Sequence, residues 1–156
     1  MKNPDLKSAI AHLKVTFDPE IPRTERFKVR TIRDVYNLFL ANWDETAIDS
    51  YEEAKVIYLD EEATVIGIFD LAMGSDSEVV FDIKVLAAIG VQTLAKAFVL
   101  AHNHPGAPIV PSFSDIATTY NVQAGCQLLN VHLLDHLIIN KENYYSFRED
   151  GLLLQL

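Results

Sequence analysis

The chain has 156 residues, 49% of them hydrophobic, and a net charge of −9, which describes a globular protein of one-domain size and argues against a disordered one. No apolar run reaches the roughly 18–20 residues that a membrane span needs, and the charged, proline-containing N-terminus lacks the apolar core of a signal peptide. A single cysteine, Cys126, leaves no internal disulfide to form, so a reducing, cytoplasmic setting and a small buried apolar role are expected. The charge is divided unevenly: residues 1–33 hold eight Lys/Arg against four Asp/Glu, and residues 34–156 hold five against eighteen. Such an acidic body repels a phosphate backbone. Only the cluster Arg23, Arg26, Lys28, Arg30 and Arg33 offers an anion patch, and it reads more simply as a solvated strand face docked on the acidic body.

In chain order, residues 1–30 form a basic segment with strand character at "LKVTF" and "RFKVR", broken by Pro19 and Pro22. From residue 31 to 156 a single compact domain is expected. "TIRDVYNLFLANW" has helical period, with Ile32, Val35, Tyr36, Phe39, Leu40 and Trp43 on one face and an N-cap at Thr31. Two strands follow, near 52–59 and 63–71, around the acidic turn Asp60-Glu61-Glu62. "DIKVLAAIGVQTLA" returns to helix, capped by Asp82, with Val85, Leu86 and Ile89 inward. "AFVLAH" is a continuous apolar strand of the kind buried on both faces. After the loop "PGAPIVP" come a helix over about 112–129, strands at "VHLLDHLIIN" and "YYSFR", and the tail "EDGLLLQL". This order implies an α/β fold, a mixed sheet between helices.

The chemistry concentrates at "HNHPGAPIVPSFSD". His102 and His104 are two apart at the end of a strand, where alternate side chains project to one side. Asp115 opens a helix eleven residues after His104, across a loop stiffened by three prolines. Two imidazoles and a carboxylate suit a catalytic Zn2+ that keeps a fourth position for water. Ser112-Phe113-Ser114-Asp115 is equally a capping box, which accounts for the serine and aspartate without a metal but not for the histidines. The two readings are compatible. A hydrolytic centre also needs a general base. Glu52 and Glu53 head an apolar strand and point to opposite faces, and periodicity does not choose between them. His132 and His136 are four apart on a strand, about 13 Å, too far to share one metal, and are expected to be hydrogen-bonded structural histidines. Asn103, between the ligands, is placed to bond the loop backbone, and His12 is expected at the surface.

His-x-His, seven residues, Ser, two residues, Asp is the JAMM motif of the JAB/MPN metallopeptidase superfamily, and "AFVLAHNHP", "PSFSDIATT", "LLDHLIIN" and "YYSFREDGLL" resemble segments of its RadC family in the same order. The resemblance spans about residues 50–153, and the helix at 31–43 with its basic leader resembles the shorter RadC-like proteins. It implies a three-layer, cytidine-deaminase-like α/β fold. It implies that His102, His104 and Asp115 bind zinc, that Ser112 supports the oxyanion, and that Glu52, eight residues before Asp60, is the general base. The activity so implied is zinc-dependent hydrolysis of peptide or isopeptide bonds in a protein or peptide substrate. The alternatives are a non-catalytic JAB/MPN scaffold and an accessory DNA-repair factor using Arg23–Arg33. The sequence departs from the family in "HNHPGA" where "HNHPSG" is common, and in Ala54 where an aromatic is usual, which implies either a less filled core or a wider cleft beside Glu52. The helix-hairpin-helix region of full-length RadC proteins has no counterpart here, which weakens the expectation of DNA binding.

Overall fold

A computed structural model describes residues 20–73 and 82–153. The segment "LKVTF" and His12, and the rest of the leader before residue 20, lie outside the described residues. A 3-10 turn at Arg23–Glu25 precedes α1 (Ile32–Ala41), β1 (Glu53–Leu59), β2 (Val65–Met73), α2 (Ile83–Gln92), β3 (Ala97–Asn103), α3 (Phe113–Gln127), β4 (His132–Ile139) and β5 (Tyr144–Ser146). The strand expected at "RFKVR" is reduced to one antiparallel bridge, Lys28 with Thr64. Pro22 and the 3-10 turn leave too little extended chain for a ladder.

The strands run in the order β2-β1-β3-β4-β5. β3 and β4 are parallel, with α3 as the crossover between them, and the other pairs are antiparallel, so the sheet is mixed as the element order implies. One face carries α1. Val35, Tyr36, Phe39 and Trp43 pack there on Ile57, Leu59, Val99, Ala101 and Leu137. The other face carries α2 and α3, where Leu86, Val122 and Cys126 pack on Ala54, Val56, Tyr58, Phe98 and Leu100. All seven residues of β3 are buried, because it lies between two neighbours in the sheet and between two helical layers.

Each helix starts where its sequence provides a cap. Thr31 and Asp34 form a reciprocal capping box on α1, the Asp82 side chain accepts from Lys84 N and Val85 N on α2, and Ser112 and Asp115 form a second box on α3. On α2 the inward face is rotated from the expected one. Leu86, Ala87 and Gly90 are buried and Val85 is exposed. Gly90 permits this: a β-carbon there would lie 3.1 Å from Val131 and 3.3 Å from Tyr58, so the helix backbone approaches the sheet closely at that point.

One irregularity on β4 matters for the site. Phe98 pairs with Leu133 and Val99 with Asp135, so Leu134 is an extra residue on β4. Residues before and after it therefore face opposite sides. His132, opposite Ala97, is on the α1 face, and His136, opposite Leu100, is on the α3 face.

Candidate metal centre

The register of β3 sets up the centre. Phe98, Leu100 and His102 point to the α2/α3 layer, while Val99, Ala101 and Asn103 point to α1. His102 is therefore the last residue of an apolar stripe and is 2% exposed. His104 follows just beyond the strand. Its ring turns back because His104 Nδ1 bonds the Pro108 carbonyl at 3.2 Å, an acceptor supplied by the proline-stiffened loop. Gly106 in that loop has φ +66°, a left-handed conformation that favours glycine. The "PGAP" variant thus builds a turn that orients a ligand.

Asp115 comes from the opposite side of the loop, at the third position of α3. Its Oδ2 accepts from Ser112 N and from Ser112 Oγ, each at 2.7 Å, and Ser112 Oγ accepts from Asp115 N at 3.1 Å. The helix cap thereby locks the carboxylate, with Oδ1 towards His102 and Oδ2 towards His104. His102 Nε2 lies 3.0 Å from His104 Nε2 and 3.3 Å from Asp115 Oδ1, and His104 Nε2 lies 3.5 Å from Asp115 Oδ2. Ligand atoms of all three residues fall within 4.8 Å of one another. Four bonds of about 2.0–2.1 Å in a tetrahedron put ligands about 3.3 Å apart, so these three donors already stand near the corners of a coordination polyhedron. The capping box and the ligand set are the same structure. The capping box expected at Ser112 and Asp115 is formed, and it leaves the Asp115 carboxylate within reach of both histidines.

The electrostatics agree with a cation-binding cluster. Burial pushes the Asp115 carboxyl up, but the neighbouring His102 and His104 imidazoles and the Ser112 hydroxyl outweigh it and hold the group well below the usual carboxylate range. The hydrogen bond to Asp115 raises the His104 pKa, with the Pro108 carbonyl and the charge of Glu52 adding to it.

Glu52 and Glu53 separate as alternate strand residues must. Glu53 lies on the face of Lys55, Ile57 and Leu59, towards α1. Glu52 directly precedes β1, whose Ala54 pairs with His102, and the charge of Glu52 acts on the His104 imidazole. Ala54 itself is fully buried and packs in the α2/α3 core. Asn103 holds this end of β1 in place: its amide donates to the Ile48 and Tyr51 carbonyls at 2.8 and 2.9 Å, and its Oδ1 accepts from Glu53 N at 2.7 Å.

Two residues bear on the site that the sequence did not single out for it. His136, expected only to be structural, is fully buried, with its Nε2 2.8 Å from His102 Nδ1. Thr119 Oγ1 lies 2.6 Å from His136 Nδ1 and donates to the Asp115 carbonyl at 2.6 Å. Thr119 was within reach of sequence reasoning, being one helical turn after Asp115 on the same face. His136 was not, since the bulge at Leu134 decides which face it takes. His132 bonds Asn130 and takes no part.

A mixed sheet between helices, with a His–His–Asp cluster where the central strand meets a helix N-terminus, defines a domain of the JAB/MPN class. A family model described as RadC-like JAB domain matches residues 29–152, and the chain belongs to that family. A UPF0758 protein of Porphyromonas gingivalis is 40% identical over 103 residues, which cover 65% of this chain and 45% of that protein. A UPF0758 protein of Aquifex aeolicus is 30% identical over 131 residues, covering 82% of this chain and 54% of the relative. One of Fusobacterium nucleatum is 31% identical over 157 residues, covering 94% and 67%. The chain spans about half the length of most of the curated relatives it matches.

Proposed function

We propose that the chain is a zinc-dependent hydrolase acting on amide bonds, in peptides or isopeptides, with His102, His104 and Asp115 as the metal ligands. The observation that carries this reading is the near-tetrahedral spacing of His102 Nε2, His104 Nε2 and the Asp115 carboxylate, with the charge of Glu52 acting on His104. Zinc bound there supplies a Lewis acid for the scissile carbonyl and a water acidified to a pKa of about 7. Glu52 takes the attacking water's proton and delivers it to the leaving amine. Ser112 Oγ donates to Asp115 Oδ2. Rotation of the exposed hydroxyl redirects that proton towards the developing oxyanion, which is the role the family resemblance gives it. His102 is enclosed, whereas the His104 and Asp115 side chains are 13% and 16% exposed, so an extended substrate reaches the centre from their side.

Purified without chelator, the protein is expected to hold one zinc per chain. Glu52→Gln should keep that zinc and lose at least about 100-fold in turnover of whatever amide substrate is found. Undiminished turnover in that variant overturns the role of Glu52. Wild-type protein that takes up no zinc leaves the non-catalytic scaffold as the better reading. Among the described residues, Arg23 pairs with Asp60 and Glu62, and Lys28 with Glu62, which supports docking of the basic segment on the acidic body.

A further inference from the structure

His102 can ligate a metal through Nε2 only if its ring proton sits on Nδ1. His104 meets the same requirement by donating Nδ1–H to a backbone carbonyl, which cannot itself donate. The partner of His102 Nδ1 is different. It is another imidazole, His136 Nε2 at 2.8 Å, which serves as an acceptor in one tautomer and as a donor in the other. Something must choose between them, and the hydrogen bonds identify it. The Asp115 carbonyl only accepts, so the single hydroxyl proton of Thr119 is committed to it at 2.6 Å. Thr119 Oγ1 is then an acceptor towards His136 Nδ1, also at 2.6 Å. His136 must carry its proton on Nδ1, which leaves Nε2 to accept from His102 Nδ1–H. His102 Nε2 is thereby left with its lone pair turned to His104 and Asp115. Phe147 stacks on the His136 ring at 4.6 Å and 14° and keeps it from turning out of this chain.

We propose that Thr119 and His136 are positioning residues that fix the tautomer of His102, and so make Nε2 a metal ligand, through the one-way hydrogen-bond chain His102 → His136 → Thr119 → Asp115 carbonyl. The proposal rests on the metal-centre reading above. It adds that the helix carrying the carboxylate ligand also dictates the protonation pattern of the histidine ligand on the neighbouring strand, so the two halves of the site are set by one chain of donors.

The test compares Thr119→Val, which removes the hydroxyl while keeping the shape, with Thr119→Ser, which keeps it. His136→Leu and His136→Gln form a second pair, Gln retaining an acceptor within reach of His102. Two quantities are read in full-length protein. Long-range 15N–1H spectra of the metal-free protein in mildly alkaline buffer show which nitrogen of each histidine is protonated. Competition against a chromophoric chelator, with zinc alone as the ligand, gives the affinity. Thr119→Val and His136→Leu should shift the His102 proton away from Nδ1 and weaken zinc binding by about 10–100-fold, while Thr119→Ser and His136→Gln stay within about threefold of wild type. A Thr119→Val protein with His102 still protonated at Nδ1 and wild-type affinity overturns the proposal, and so does a Thr119→Ser protein as weak as the valine variant. Should His136→Leu fail to fold, the Thr119 pair decides alone. Wild-type protein that takes no zinc defeats the metal-centre reading, while the tautomers in the spectra still support or overturn the chain itself.

Discussion

Glu52 and Glu53 show how much one position along a strand decides. The two carboxylates are adjacent, yet one reaches the His104 side of the sheet and the other is buried against α1. Glu53 is 6% exposed, and its Oε2 is buried without a well-formed hydrogen bond. The nearby Trp43 indole compensates it only weakly, and burial raises its pKa above 4.5 despite the charge of Lys55. The folded state therefore binds this proton more tightly than the unfolded chain does. Glu53 costs stability at neutral pH, and the cost fades as pH falls through its raised folded value towards 4.5. Glu53→Gln should accordingly be neutral or stabilising at pH 7, with less gain at pH 5, in urea unfolding, and it should retain hydrolysis where Glu52→Gln loses it. A Glu53→Gln protein without activity would transfer the general base to that residue.

At the scale of the element, β3 is the part that organises the site. Its alternate residues send His102 to one helical layer and Asn103 to the other, so a single strand end holds a member of the His–His–Asp cluster and the clamp on β1. The three hydrogen bonds of Asn103 fasten the segment from Ile48 to Glu53, and Glu52 lies within it. Asn103→Ala should cost about 2–4 kcal/mol in unfolding free energy, since buried backbone groups lose their partner. It should also lower kcat while zinc affinity, measured by chelator competition, stays near wild type. A variant that loses zinc and leaves kcat per bound zinc unchanged would place Asn103 with the ligands and not with the base. On α3 the economy is similar: Ser112 caps, Asp115 caps and faces the two histidines, and Thr119 anchors His136, all within the first two turns.

For the molecule as a whole, the ligands come from β3, the loop after it and α3, elements that an ion would tie together. Metal bound to the native state and not to the unfolded chain adds stability by mass action, about 2.7 kcal/mol at free zinc 100-fold above Kd. For a chain of this size that corresponds to a Tm rise of roughly 5–10 °C, lost on adding chelator. Calorimetry with and without zinc checks this, and an unchanged Tm would remove the site from the native state. Among the described residues no helix is long and apolar enough to cross a membrane.

Much of this was legible in one dimension. The helical period at Val35, Tyr36 and Phe39, the apolar run of β3, the caps at Thr31, Asp82 and Ser112, and the spacing from His102 to Asp115 are all local patterns. Local geometry, at period 2 or 3.6, determines where such side chains point. The sequence by itself determined the α/β layers and offered His102, His104, Asp115 and the two glutamates as candidates. Only the tertiary structure decided that Glu53 is buried beside Trp43 of the α1 layer, because pairing register across strands is a non-local property. It alone decided the fate of His136, because one extra residue at Leu134 reverses the alternation of β4. And it alone joined Thr119 to His102, through a hydrogen-bond chain whose members are far apart in sequence and meet only where α3 packs on the sheet.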